Sequence, residues 1–190
     1  MEINPILSTF KTLGYLSDEA TQALNDIISC KEFPKNSNLL EIGQRASTMY
    51  YVQKGLARVY YYFDGKDVTD YFATDGMFIG AVPSLITGKE SQKGIHLIED
   101  STLYYFKSID FEELCAQYHD LEHIARLLVT FAFLEEQERV EKLRFYSMKE
   151  RYELLEKKHQ GIMNRCPLHY IASFLGTTQV SISRIRAGIQ

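Results

Sequence analysis

Long apolar runs are missing from this chain. No stretch approaches the roughly eighteen uncharged apolar residues of a membrane-spanning helix, so none is expected. The opening segment, Met1 to Lys11, lacks a basic stretch followed by an apolar run. It does not read as a secretory signal, and the cytoplasm is the default location. Cysteine is scarce. Cys30, Cys115 and Cys166 are odd in number and widely spaced. They supply neither a disulfide framework, nor a Cys-x-x-Cys metal knuckle, nor a four-cysteine iron–sulfur cluster. The histidines (His96, His119, His123, His159 and His169) do not cluster, and only His96 falls among the strand-like segments. A cupin-like metalloenzyme would need several ligands together on its strands, and haem would have this one strand histidine. A phosphate-cradling P-loop and a Gly-x-Ser-x-Gly elbow are also absent. The expectation is a protein that is not an enzyme and holds no metal or other cofactor.

What is present describes an ordinary folded chain. Its 190 residues are 45% hydrophobic and 24% charged, which excludes a largely disordered protein. The net charge of −4 hides an asymmetry. Residues 140–190 hold nine cations and four anions, whereas residues 1–139 hold 12 and 21. An acidic front and a basic tail point to nucleic-acid contact by the tail alone.

Three kinds of pattern follow one another. Residues 1–30 read as helical, with Leu16, Ala20, Ala23, Leu24, Ile27 and Ile28 at helical spacing and Ser17 where an N-cap belongs. Residues 31–110 hold short runs rich in Tyr, Val, Ile and Phe, punctuated by Gly, Asn and Asp. Asp64-Gly65, between Leu56–Phe63 and Val68–Phe72, suits a type I′ hairpin turn because both positions tolerate positive φ. About eight strands at regular spacing predict a small antiparallel barrel or jelly roll. From Phe111 no Gly or Pro occurs until Gly161. Ile124, Leu127, Phe131 and Leu134 form a coiled-coil-like seam beside a second stripe of Leu121, Ala125, Leu128 and Ala132. One face of such a helix can cover the barrel, and the other calls for a second copy of the chain. A break is expected near Tyr146, because Ser147-Met148-Lys149-Glu150 has the form of a capping box.

The C-terminal segment carries the chemistry. Leu168, Ile171, Ala172 and Leu175 are spaced for one short helix, Gly176 for a tight turn, and Ile182 and Ile185 for a second helix capped by Thr177 or Thr178. This is the helix-turn-helix layout, whose second helix enters the major groove. Gln can pair bidentately with adenine and Arg with guanine, while Ser and Thr serve bases or phosphates.

In this order the segments resemble the Crp/Fnr family of transcriptional regulators over nearly the whole chain. Gly43, Gly55, Gly76 and Gly80 are similar to the spaced glycines of its sensor. Asp75-Gly76-Met77-Phe78-Ile79-Gly80 is similar to its Gly-Asp-x-Phe-Gly turn, and Ile171, Ala172, Gly176, Ile182, Arg184 and Ile185 agree with its helix-turn-helix. The resemblance implies an α+β fold: a double-stranded β-helix, or jelly-roll-like β-roll, as sensor (1–119), a dimerisation helix (120–146) and a winged-helix-like DNA-binding domain (147–190). It implies base contacts from Gln179, Val180 and Arg184, and phosphate contacts from Thr177, Thr178, Ser181, Arg186 and His169. The dimer interface is expected at Ile124, Leu127, Leu128, Phe131 and Leu134. An effector pocket is expected around Phe72, Phe78, Ile79, Gly80, Ala81, Lys93, Gly94 and Ile95. Double-stranded DNA, a second copy and RNA polymerase are the implied partners, with no membrane.

The departures bear on the effector. Ala81 stands where cAMP-binding members carry a ribose-holding Glu, and Lys93-Gly94 stands where they carry an Arg and a hydroxyl residue. A lysine offers a point charge rather than a planar fork, so cAMP is not the expected ligand and the small-molecule effector is left unknown. The oxygen-sensing branch's cysteine cluster is missing, and the chain ends at Gln190 without the wing of many members. The alternative reading is a ligand-sensing β-roll that acts through a protein partner.

Overall fold

A computed structural model describes residues 4–188, so the outermost residues of the first and last expected domains lie outside the described residues. Two helices open the chain, α1 (Pro5–Leu13) and α2 (Asp18–Ile27). Asn4 caps α1 by accepting from the Ile6 N–H, with Pro5 in the first turn. Ser17 caps α2 by accepting from the Ala20 N–H, and Asp18 and Glu19 sit favourably on its positive end.

Eight strands follow among the described residues: β1 (Ser29–Phe33), β2 (Asn38–Leu40), β3 (Thr48–Lys54), β4 (Leu56–Phe63), β5 (Lys66–Thr74), β6 (Met77–Ile79), β7 (Gly94–Leu97) and β8 (Ser101–Lys107). They form two four-stranded sheets, ordered β1-β8-β3-β6 and β2-β7-β4-β5, with antiparallel neighbours. Leu40, Val52, Ala57, Val59, Ala73, Ile79, Ile95, Leu97 and Leu103 meet between the sheets. Asp64 and Gly65 take φ of 49° and 70°, as the turn between β4 and β5 requires. A bulge interrupts the β4–β5 pair. Val59 opposes Tyr71 but Tyr60 opposes Thr69, so Asp70 has no residue opposite it. The short helix α3 (Val82–Thr87) bridges β6 and β7.

Each sheet buries its outer face against helices. Beyond the strands lie α4 (Ser108–Gln117) and α5 (His119–Phe145). Phe10, Leu24, Leu121 and Ile124 pack with Tyr51 and Phe106 over the first sheet. Four more helices follow among the described residues: α6 (Met148–Lys158), α7 (Ile162–Arg165), α8 (Leu168–Leu175) and α9 (Gln179–Arg186). Their core residues Leu155, Ile162, Ile171, Leu175 and Ile182 join Leu56, Phe72 and Ile98 of the roll in one cluster. The C-terminal helices therefore lie on the outer face of the second sheet.

Several expectations are refined. The expected strands did not include β1, whose residues are mostly exposed. The long helical stretch breaks at Tyr118, in extended backbone, and again at Tyr146. Ser147 and Glu150 form the reciprocal capping box anticipated for α6. His159 is the C-cap of α6, and Gly161, at φ 78°, is the N-cap of α7.

Candidate nucleic-acid interface and effector cassette

The turn between α8 and α9 is built from local chemistry. Gly176 adopts φ 68°, ψ 40°, a conformation only glycine enters freely. The Thr177 N–H then reaches the Ala172 carbonyl at 2.9 Å, the long-range bond of a Schellman ending. Thr178 caps α9 by accepting from the Ser181 N–H, and its hydroxyl also lies 3.0 Å from the Ser181 hydroxyl. Arg151 of α6 donates to the Leu175 carbonyl at 3.0 Å, fixing the end of α8. Ala172 and Ile182 are buried, and the small side chain at Ala172 lets the two helices approach.

Gln179, Val180, Ser183 and Arg184 are exposed on α9, with Val180 61% accessible. The side chains of Gln179, Ser183 and Arg184 make no hydrogen bond or ion pair with another described residue. His169 is exposed on α8 and its ring lies 3.9 Å from that of Tyr170. Arg186 is turned back instead, donating to the Met163 carbonyl and Asn164 Oδ1, both at 3.4 Å. It must leave these long bonds to reach a phosphate.

The basic tail is partly spent inside the molecule. Arg165 pairs with Glu99 and, at 3.4 Å, with Asp75, and Lys158 pairs with Glu135. Hydrogen bonding to Glu99 pushes the Arg165 guanidinium up from its usual range. The Arg165 contacts belong to a joint between the C-terminal helices and the roll that the sequence did not reveal, whereas Lys158–Glu135 ties α6 to α5. Arg58 of β4 is the hub of the joint. Its two terminal nitrogens grip Asp67 at 2.5 and 2.6 Å, and its guanidinium lies 4.6 Å from the Tyr60 ring and 3.6 Å from the Tyr170 ring. The Ser173 hydroxyl accepts from the Thr69 N–H at 3.1 Å. His159 is buried beside Phe72, with Nδ1 3.1 Å from the Thr74 hydroxyl, and burial lowers it to about 4, helped by Lys158 and Arg165. The one sequence signal was Arg58 itself, a charge between Ala57 and Val59 in an apolar strand.

The expected effector pocket does not form around one cavity. Strand alternation sends Tyr71 and Ala73 inward and Phe72 outward, where Phe72 packs 5.3 Å from Phe174. Phe72, with Ile98, therefore belongs to the joint, which corrects the placing of Phe72 in a pocket. Phe78 is corrected likewise: it packs with Phe10 and Tyr51 under the N-terminal helices. Ile79, Ala81 and Ile95 are core between the sheets. Gly80 directly follows β6, and Lys93 and Gly94 stand at the start of β7. The Gly80 N–H donates to the Tyr71 hydroxyl at 3.3 Å, and that hydroxyl donates to the Gly80 carbonyl at 2.8 Å. Burial pushes the Tyr71 phenol up to about 12, so it stays protonated. The Tyr60 ring covers Gly94, where a Cβ would come within 2.6 Å of it. Lys93 pairs with Asp70 at 2.5 Å.

The expected dimer face is also redistributed. Ile124 is wholly buried among α1 and α2, and Leu128 packs partly against the same cluster, so neither lies on a free seam. The reason is that α1 and α2 take up the stripe running Leu121–Ile124–Leu128. Leu127 is half-buried, whereas Phe131 and Leu134 are exposed together with Val129 and Phe133.

Two stacked four-stranded β-sheets, the short helix α3, the long helix α5 and a C-terminal helix-turn-helix make up the fold. Residues 30–118 match the family model of the cyclic nucleotide-binding domain. Solved structures with the same fold include a putative transcriptional regulator of the Crp/Fnr family from Eubacterium rectale, with TM-score 0.70 and 16% identity, covering 92% of this chain and 84% of that one. FixK2 from Bradyrhizobium japonicum has TM-score 0.69 and 19% identity, covering 86% and 84%. The Thermus thermophilus catabolite activator protein has TM-score 0.56 and 21% identity, covering 92% and 84%. A comparison with curated protein sequences finds no match. The chain thus carries a cyclic nucleotide-binding-type β-roll and has the architecture of a Crp/Fnr-type regulator. No helix among the described residues is long and apolar enough to cross a membrane.

Proposed function

We propose that the chain is a transcriptional regulator, not an enzyme, that binds a pseudo-palindromic operator as a homodimer. Residues 1–119 are the sensor, 120–146 the dimerisation helix and 147–190 the DNA-binding domain. The observation that carries the reading is the outer face of α9, where Gln179, Val180 and Arg184 follow the Gly176 turn and stand exposed. Gln179, Val180 and Arg184 read base edges, and Thr177, Thr178, Ser181 and His169 approach phosphates, joined by Arg186 once it leaves Met163 and Asn164. Dimerisation uses Leu127, Phe131 and Leu134, extended by the exposed Val129 and Phe133. Two recognition helices on such a dimer meet half-sites about one turn, ~34 Å, apart. Ala81 and Gly94 leave cAMP without a ribose or phosphate grip.

Selection of binding sites from random duplex DNA tests this. The unaltered protein should recover a pseudo-palindrome. Arg184→Ala should relax one base position per half-site at a cost of about 1–3 kcal/mol. Identical motifs from both proteins would sink the assignment of Arg184, and no enriched motif would sink the function.

A further inference from the structure

We propose that Asp70 is a built-in anion of the sensor cassette, which holds Lys93 and ties the cassette to α5 without a diffusible anionic effector. Asp70 is the extra residue of the β4–β5 bulge, the position at which a strand can re-aim a side chain out of its alternation. Its carboxylate lies 2.5 Å from Lys93 Nζ, at the entry to β7, and 3.7 Å from Arg139 Nη2 on α5. The bulge also releases its carbonyl from the ladder, and Arg139 Nη1 donates to that carbonyl at 3.1 Å. One residue therefore joins β5, β7 and α5. Arg139 is held from its own helix by Glu136 at 2.6 Å. Both cations are thus matched by carboxylates of the chain, and an incoming anion would have to displace one. An exposed ion pair contributes little, but the Asp70 side chain is only 13% accessible. Removing this largely buried carboxylate leaves the half-exposed Lys93 without its partner and Arg139 with Glu136 alone. The Tyr71 hydroxyl does the same for backbone, answering both the N–H and the carbonyl of Gly80 next door.

The inference rests on the regulator reading only in its DNA arm. Asp70→Ala in the full chain removes the carboxylate and keeps both cations. Its melting temperature should fall by about 2–4 °C. Formate or acetate at about 100 mM should return most of that shift, and chloride at equal ionic strength should not. The unaltered protein should respond alike to all three salts. In an Arg139→Met, Lys93→Met background the effect of Asp70→Ala should shrink, because the charges it served are gone. In the DNA arm, operator affinity of the unaltered protein should not change with cyclic nucleotides. Asp70→Ala should bind several-fold more weakly, with formate restoring it. An unchanged melting temperature, or recovery in chloride equal to that in formate, overturns the built-in anion. Formate-specific recovery of melting in a protein that selects no DNA upholds it and defeats the regulator reading.

Discussion

Phe72→Ala should uncouple the two halves of the molecule. Phe72 is 3% accessible and sits between the Phe174 ring at 5.3 Å and the His159 ring at 6.3 Å. Removing a buried phenyl ring costs about 3–5 kcal/mol, from lost transfer energy and the cavity left behind. The aromatic contact with Phe174 is worth about 0.5–1.5 kcal/mol beyond its area. The roll can collapse little around the site, because Leu56 and Ile98 are already wholly packed. The upper half of the range, about 4 kcal/mol, is therefore expected. At about 2–4 °C per kcal/mol in a chain of this size, that is a drop of at least about 8 °C for whatever unfolds cooperatively with the joint. The C-terminal helices depend on this ring and the inter-sheet core does not. Calorimetry should accordingly show an early transition for the C-terminal part ahead of the roll. Tyr62→Ala, on an exposed ring of the same sheet, should shift the midpoint by less than about 0.5 kcal/mol. A single unbroken transition within about 1 kcal/mol of the unaltered protein would refute the joint as a structural unit.

His159 makes the same joint sensitive to acid. Its folded value of about 4 lies below the ordinary 6.5, so its contribution is complete above pH 6.5 and falls away between 6.5 and 4. On the order of 2 kcal/mol should be lost by pH 5, and thermal melts of His159→Gln should lack that slope. Gly94→Ala should destabilise by about 1–3 kcal/mol, because the new Cβ would meet the Tyr60 ring at 2.6 Å. Urea titration should show the cost shrinking in a Tyr60→Leu background. Phe131→Glu with Leu134→Glu should give a monomer by sedimentation, and an unaltered chain that is monomeric at micromolar concentration would defeat the dimer.

Local signals were the legible part. Ser17, Asp64-Gly65, the Ser147–Glu150 box and Gly176 each settle a cap or turn within a few residues, so the roll, the helix breaks and the helix-turn-helix could be read directly. The lost information is long-range. β1 pairs with β8 across about seventy residues, and its exposed face shows no apolar alternation. The bulge at Asp70 reverses strand parity for one residue, and nothing in Val68–Phe72 announces it. Phe72 and Phe78 both read as pocket aromatics beside the cassette. Their strands turn them to opposite outer faces, which only the assembled sheets decide. Ile124 fitted a heptad seam, but the helices that cover it come from the other end of the chain.

The cluster shared by Leu56, Phe72, Ile98 and the last four helices has a consequence for how the molecule comes together. Helices α6 to α9 make a piece of about forty residues, a size at which a chain rarely buries enough surface to stand alone. Here a finished strand surface supplies one wall of its interior. The β-roll is synthesised first and can fold first, leaving a template on which the C-terminal helices are completed. Such a helical unit cannot be cut out and grafted elsewhere by itself. Expressed without the roll, residues 147–190 should be largely unstructured, and any graft must carry the β4–β5–β7 face along with the helices.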